Sequence, residues 1–145
     1  MTKTTDEQKL YDKMLENNHG DLVLPPQSFS IMKGKIIEYN DDEKSLCTKI
    51  PILNEWLNPY KTMQGGFINA AIDNAIGPLS LLVAPANMTR TMETKYLKAI
   101  TMDVEYIYIY ASLVEQRKKR LTFEVSVEDK NAQVYCQAKV VNFIL

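Results

Sequence analysis

The stretch from Asn58 to Leu82, NPYKTMQGGFINAAIDNAIGPLSLL, limits what this chain can fold into more than any other. From Phe67 onward apolar or small residues recur so densely, Ile68, Ala71, Ile72, Ala75, Ile76 and Leu79 among them, that a helix over 64–82 shows almost no polar stripe. Such a helix belongs inside a structure. Two features interrupt it: the Gly65-Gly66 pair at its entrance and the single carboxylate of Asp73 in its middle. Glycines let another group approach the backbone closely, and the first turn of a helix offers N–H groups without intrahelical acceptors, so an electron-rich oxygen could be received there. An ionised carboxylate among apolar neighbours costs on the order of several kcal/mol unless it is paired. Asp73 is therefore the first functional candidate, and a surface carboxylate paired with a Lys or Arg is its plain alternative.

At 145 residues and 46% hydrophobic content the chain is expected to be one domain, 1–145, with a real core. A formal charge of -1 gives no general attraction to nucleic acid or to an anionic membrane surface, so neither is expected as a partner. The N-terminal residues are polar and show no secretory pattern, and the apolar runs, interrupted at Pro78 and Pro85, read as too short to span a bilayer. A cytoplasmic location is expected, with Cys47 and Cys136 as reduced thiols. There is one histidine, His19. Ser-His-Asp and Cys-His devices and Cys/His zinc sites therefore lack their parts, no metal is expected, and His19-Gly20 reads as a helix stop. Neither GxxxxGK[ST] nor GxGxxG occurs.

In chain order, 6–18 predicts a short amphipathic helix with Leu10 and Met14 inward, followed by a connector to about 28 containing Pro25-Pro26. Phe29–Tyr39 and Ser45–Ile50 read as a hairpin around NDDEK. After the central helix and a break at Pro85, strands are expected over 88–98, 101–113, 118–128 and 133–144, with no further helix. Leu121, Phe123, Val125 and Val127 alternate with polar residues, as in a strand with one wet face. In 104–110 Ile107 and Ile109 share one face and Tyr106, Tyr108 and Tyr110 the other, which suggests association through the tyrosine face. The class is α+β: one curved antiparallel sheet wrapped around a long buried helix, plus a short N-terminal helix.

Asn58, then Gln64-Gly65-Gly66, then Asp73, in this element order, resembles the hotdog-fold acyl-CoA thioesterases of the PaaI-like, phenylacetate-type group, over roughly residues 30–145. The resemblance implies a homodimer or a dimer of dimers with sites shared between subunits, hydrolysing an acyl-CoA to a free acid and CoA. No cofactor is implied beyond the CoA of the substrate. It further implies that the Gly65 N–H polarises the thioester carbonyl, helped by Asn58, that Asp73 of the other subunit serves as general base or nucleophile, and that Thr89 orients the water. Gln64 stands where the family has histidine; its amide can hold a neighbour by hydrogen bonds but does not titrate near neutrality. That departure keeps a second function open, a non-hydrolytic hotdog module that binds acyl-CoA or lipid.

Each candidate also has a bland use. Gly65-Gly66 could be a tight turn, Asn58 before Pro59 ordinary turn chemistry, and Thr89 a strand residue with Thr91 as its rival. Arg117-Lys118-Lys119-Arg120 is either a solvated connection or, with Gly66, a contact for the CoA phosphates at the mouth of the site. Trp56, Tyr60, Met63 and Phe67 are candidates for core, interface or acyl pocket.

Overall fold

The computed structural model describes residues 3–18 and 21–145, so the helix stop read at His19-Gly20 lies outside the described residues. A short β1 (Lys3–Thr4) leads to α1 (Glu7–Asn17), α2 (Gln27–Ile31), β2 (Lys35–Asn40) and β3 (Ser45–Pro51). The long α3 (Gly65–Val83) follows, then β4 (Asn87–Tyr96), β5 (Tyr106–Arg117), β6 (Arg120–Glu128) and β7 (Val134–Ile144), with 3-10 turns at Asn54–Trp56 and Met102–Val104. All strands join one antiparallel sheet in the order β1-β2-β3-β5-β6-β7-β4. The chain leaves the sheet after β3, runs through α3, and re-enters at the far edge as β4. That crossing lays α3 over β3, β5, β6 and β4.

The core forms where the alternating apolar residues of the central strands meet α3. Ile107, Ile109 and Ala111 of β5, Leu121, Phe123 and Val127 of β6 and Val140 of β7 are each fully buried, as are Ile72, Ile76 and Leu79 of the helix. Contact with such a continuous apolar layer stabilises α3 far more than its intrinsic propensity does. α1 begins at Asp6, whose side chain accepts from the Lys9 N–H. It buries Leu10, Tyr11 and Met14, and its end reaches α3: the Asn17 and Asn18 side-chain amides donate to the carbonyls of Leu82 and Leu81. Helix-end carbonyls of α3 thereby find partners they would otherwise lack.

Several expectations are corrected. Residues 29–31, expected to open a strand, are helical with 27 and 28 of the connector, because Phe29 and Met32, three apart, both turn into the core. The strand placed at 101–113 begins only at Tyr106, after a 3-10 turn and Glu105 at φ 68°, and continues to Arg117. Pro78 does not interrupt α3, whose 19 residues are long and apolar enough by length and composition to cross a membrane; here the helix is instead the lid of the core. Cys47 and Cys136 are free and buried as expected, and burial pushes each thiol up to about 11.

The largest correction concerns the burial of α3. Gly66 and Asp73 are exposed, and Asn69, Ala70 and Gly77 are partly so. At helical spacing these positions share one face, and that face lies open beside β4.

Candidate functional site

The approach to α3 is a built loop. Asn58 Oδ1 accepts from the backbone N–H of Tyr60 (2.9 Å) and Thr62 (3.1 Å), and its Nδ2 donates to Thr62 Oγ1 (2.9 Å). This Asx arrangement turns the chain through Lys61 at φ 62°. The Asn58 side chain is thus first a loop builder, with one amide hydrogen beyond the bond to Thr62. Gln64 occupies the cap position; its backbone N–H donates to the Trp56 carbonyl, but its exposed side chain makes no capping bond and does not hold Asn58. Trp56 stacks on Phe67 with ring centroids 4.4 Å apart, Met63 is core, and Tyr60 is 87% exposed. Of these four candidates for a pocket wall, Tyr60 lines nothing within this chain.

The two glycines differ. A Cβ on Gly65 would stand 3.2 Å from Cζ and Oη of Tyr96, whose hydroxyl donates to the Gly65 carbonyl at 3.1 Å. Gly65 is therefore small because this chain's own strand crosses it. A Cβ on Gly66 would meet nothing nearer than Gln64 Oε1 at 3.8 Å. Nothing in the chain itself requires Gly66, and its N–H belongs to the helix turn that lacks intrahelical acceptors.

Asp73 lies two turns further along the open face. It is neither lodged in apolar surroundings nor ion-paired, so both of its sequence readings are revised: the two ion pairs among the described residues are Lys3–Glu38 and Lys13–Asp41. Its partner is Thr89, whose Oγ1 donates to Asp73 Oδ1 at 3.1 Å. Thr89 wins over Thr91 because of a bulge. Thr89 pairs with Asn142 and Thr91 with Val141, so Arg90 is an extra residue in β4. The insertion resets the alternation, and Thr89 joins Met92, Thr94 and Tyr96 on the side facing α3. Thr94 Oγ1 donates to Asn69 Oδ1 at 2.6 Å. Three β4 side chains thus bond in succession to Gly65, Asn69 and Asp73. Sequence reasoning missed Tyr96, Thr94 and Asn69; the i, i+2 spacing of Thr94 and Tyr96 in a strand beside the glycine turn was the available signal.

Within this chain the basic run takes the first of its two readings, a solvated connection. Arg117–Arg120 forms the exposed β5–β6 hairpin, with Lys118 at φ 57°. Arg120 pairs with Phe143, whereas Tyr96, beside Gly65, pairs with Cys136. The two points are seven residues apart along β7, roughly 23 Å at the usual rise. Within one chain, then, the cations do not reach the glycine turn; they share the end of the molecule occupied by Thr89. Among the described residues no three His, Cys, Asp or Glu side chains gather as a metal ion would need.

No protein-family model matches the chain, and no curated protein matches it. Solved structures do. A putative thioesterase of Ralstonia eutropha, described as phenylacetic acid degradation-related, superposes with a TM-score of 0.79 at 16% identity over 93% of this chain and 99% of that one. The Escherichia coli PaaI protein gives 0.77 at 12% identity over 96% and 95%. This is the hotdog fold. A third hotdog structure, smu.793 from Streptococcus mutans bound to acetyl CoA, gives 0.71 at 17% identity over 88% and 94%. The sheet-and-helix architecture is thus shared with PaaI-like thioesterases across nearly the whole chain.

Proposed function

We propose that this chain is an acyl-CoA thioesterase working as a homodimer, converting acyl-S-CoA and water to a carboxylic acid and free CoA. The observation that carries the proposal is the Thr89–Asp73 hydrogen bond on the open face of a helix that begins with Gly65-Gly66. A thioester needs a donor pair at its carbonyl oxygen and a base or nucleophile on the other side. The chain has both, but about two helical turns apart along one axis.

Pairing of two β4 edges resolves that separation. β4 ends the sheet, and a ten-residue free edge invites a further strand. An antiparallel two-fold pairing in which Glu93 faces its own counterpart, with Arg90 again the extra residue, sets Thr89 of one copy opposite Tyr96 of the other. Asp73 of one subunit then faces the Gly65-Gly66 turn of its partner. The same operation carries the Arg117–Arg120 run to the partner's glycine end, where its guanidinium groups suit CoA phosphates. The neighbour crystallised with acetyl CoA supports a CoA thioester as ligand.

In this arrangement the Gly65 and Gly66 N–H groups and the remaining Asn58 amide hydrogen receive the carbonyl oxygen as it gains charge. Asp73, held by Thr89, either takes a proton from the attacking water or attacks the carbonyl itself. In the first route the carbon–sulfur bond breaks and the proton held by Asp73 passes to the sulfur; in the second CoA leaves as the thiolate and takes a proton from water, and a water molecule then opens the acyl–aspartyl anhydride to give the acid. Single turnover in labelled water gives a test for the nucleophilic route: general base catalysis puts the isotope in the acid, whereas water opening an anhydride at the Asp73 carbonyl puts it in the enzyme and leaves the acid unlabelled.

A panel of acyl-CoA chain lengths assayed for thiol release tests the proposal. Asp73→Asn should lower kcat by about 10²–10⁴-fold, the usual contribution of a positioned base, with the fold intact by circular dichroism. Unchanged turnover in Asp73→Asn would exclude the assigned role. Gln64 favours a second reading, an acyl-CoA-binding module without hydrolysis, because its side chain neither titrates nor caps the helix. Calorimetric binding of acyl-CoA with no thiol released by the wild-type protein would select that reading.

A further inference from the structure

We propose that Asn142, in β7, is a positioning residue: its amide holds the start of β4 in the arrangement that lets Thr89 reach Asp73. The inference rests on the thioesterase reading for its kinetic consequence, but its structural half stands alone. Counting back from Tyr96, Thr94 and Met92, plain alternation would turn Arg90 toward α3. The bulge at Arg90 presents Thr89 instead. A bulge leaves its extra residue unpaired and interrupts the ladder, so this part of the strand needs another anchor.

The anchor is a chain of amides. Asn142 is only 2% exposed, and its Nδ2 donates to Asn87 Oδ1 at 2.8 Å. Asn87 Nδ2 in turn donates to the carbonyls of Ser80 (3.4 Å) and Pro85 (2.8 Å). Ser80 Oγ donates to the Gly77 carbonyl at 2.8 Å, so the connection continues into the last turns of α3. Because the Ser80 and Pro85 carbonyls can only accept, Asn87 must turn its nitrogen to them and its oxygen to Asn142, which fixes both amides. β7, the first residues of β4 and the C-terminal part of α3 are thereby tied together on either side of Thr89.

Asn142 Oδ1 carries a cost. It is buried and has no hydrogen-bond partner, and an orphaned acceptor destabilises a fold. An apolar side chain of similar size would serve packing better. Asn142 lies directly opposite Thr89 in the β4–β7 pair, on the side that holds the site, yet it touches no reacting atom in the arrangement above. Its effect passes through Thr89.

Asn142→Leu removes the donor while keeping the volume, and Thr89→Val removes the hydroxyl it positions. In Asn142→Leu, kcat for the best acyl-CoA should fall about tenfold or more, as expected when a catalytic contact is displaced, while KM stays within about twofold and Tm does not fall. In a Thr89→Val background the same substitution should cost nothing further. Backbone amides of Arg90 and Thr91 should exchange with deuterium faster in Asn142→Leu and at the wild-type rate in Thr89→Val. Losses of kcat that multiply in the double variant, or unchanged exchange at Arg90 and Thr91, would overturn the positioning role. Absence of thiol release from the wild-type protein would instead overturn the thioesterase reading, and the exchange measurement would still decide the structural half.

Discussion

The two sides of α3 obey different rules. Toward the sheet stand Ile68, Ile72, Ile76 and Leu79, each at most 4% exposed. Toward the open face stand Gly66, Ala70, Asp73 and Gly77. Every residue of the first set is explained by what this chain packs against it. In the second set, Gly66 and Gly77 would accept a Cβ without a close contact, and Asp73 has a hydroxyl partner but no cation. Side chains that their own fold does not require are the ones whose selection points outside the chain, to a substrate or a second copy.

The widest contrast comes from neighbouring residues on opposite sides. Ile72→Ala, at a fully buried position, should cost about 2–5 kcal/mol of stability through lost transfer energy and the cavity left behind, measured by denaturant unfolding. Asp73→Asn should leave stability within about 0.5 kcal/mol, as exposed substitutions usually do, while abolishing most turnover. A loss of several kcal/mol in Asp73→Asn would erase the distinction between the two sides.

The glycines sharpen it. Gly65→Ala must displace the Tyr96 ring or itself, and a destabilisation of roughly 1–2 kcal/mol is expected, the low end of the usual overpacking range. Gly66→Ala meets no such obstacle and should leave the fold intact. Its damage should show in turnover, since the added methyl sits where the thioester is to approach. Gly77→Ala should raise the stability of the isolated subunit by up to about 1 kcal/mol, because a helix-interior glycine is replaced by the best helix former. Sedimentation of the same variant then shows what the open stripe does. Weaker self-association at higher subunit stability would mean that Gly77 is small for a partner's sake.

Much of this architecture is legible from residue order. The apolar run of 64–82 marks α3, the alternation of Leu121 to Val127 marks β6, and Ile107 and Ile109 mark the inner face of β5, all because burial and periodicity write themselves into composition. The open stripe is not legible in that way. Alanine counts as apolar whether it lies in a core or leaves room for something else, so Ala70, within a run of apolar and small residues, makes α3 read as buried nearly all round and Asp73 as a buried charge. The Arg90 bulge is equally silent, since Thr89-Arg90-Thr91 offers two threonines of equal β-propensity and only the pairing with β7 decides which faces the helix. Asn58 enters as a candidate only through the family resemblance, and its loop bonds to Tyr60 and Thr62 need coordinates. The separation of Gly65 from the basic run also follows from register alone, and register is set by long-range pairing rather than by spacing in the chain.

The buried side is not uniformly optimised, which gives the smallest and most exacting test of the comparison. Thr48 of β3 is fully buried on the face toward α3, and its Oγ1 has no hydrogen-bond partner. It pairs with Ile109, another fully buried residue of the same layer. A hydroxyl stripped of water without a replacement bond costs about 1–3 kcal/mol, whereas its removal leaves only the small difference in shape between the two side chains. Thr48→Val should therefore raise the unfolding free energy by roughly 1 kcal/mol, read as a higher denaturant midpoint at unchanged slope, with turnover unaffected because Thr48 lies on the sheet side of the helix. If Thr48→Val lowered kcat at constant stability, function would reach through α3 from its buried side, and the division of labour between its two faces would fail.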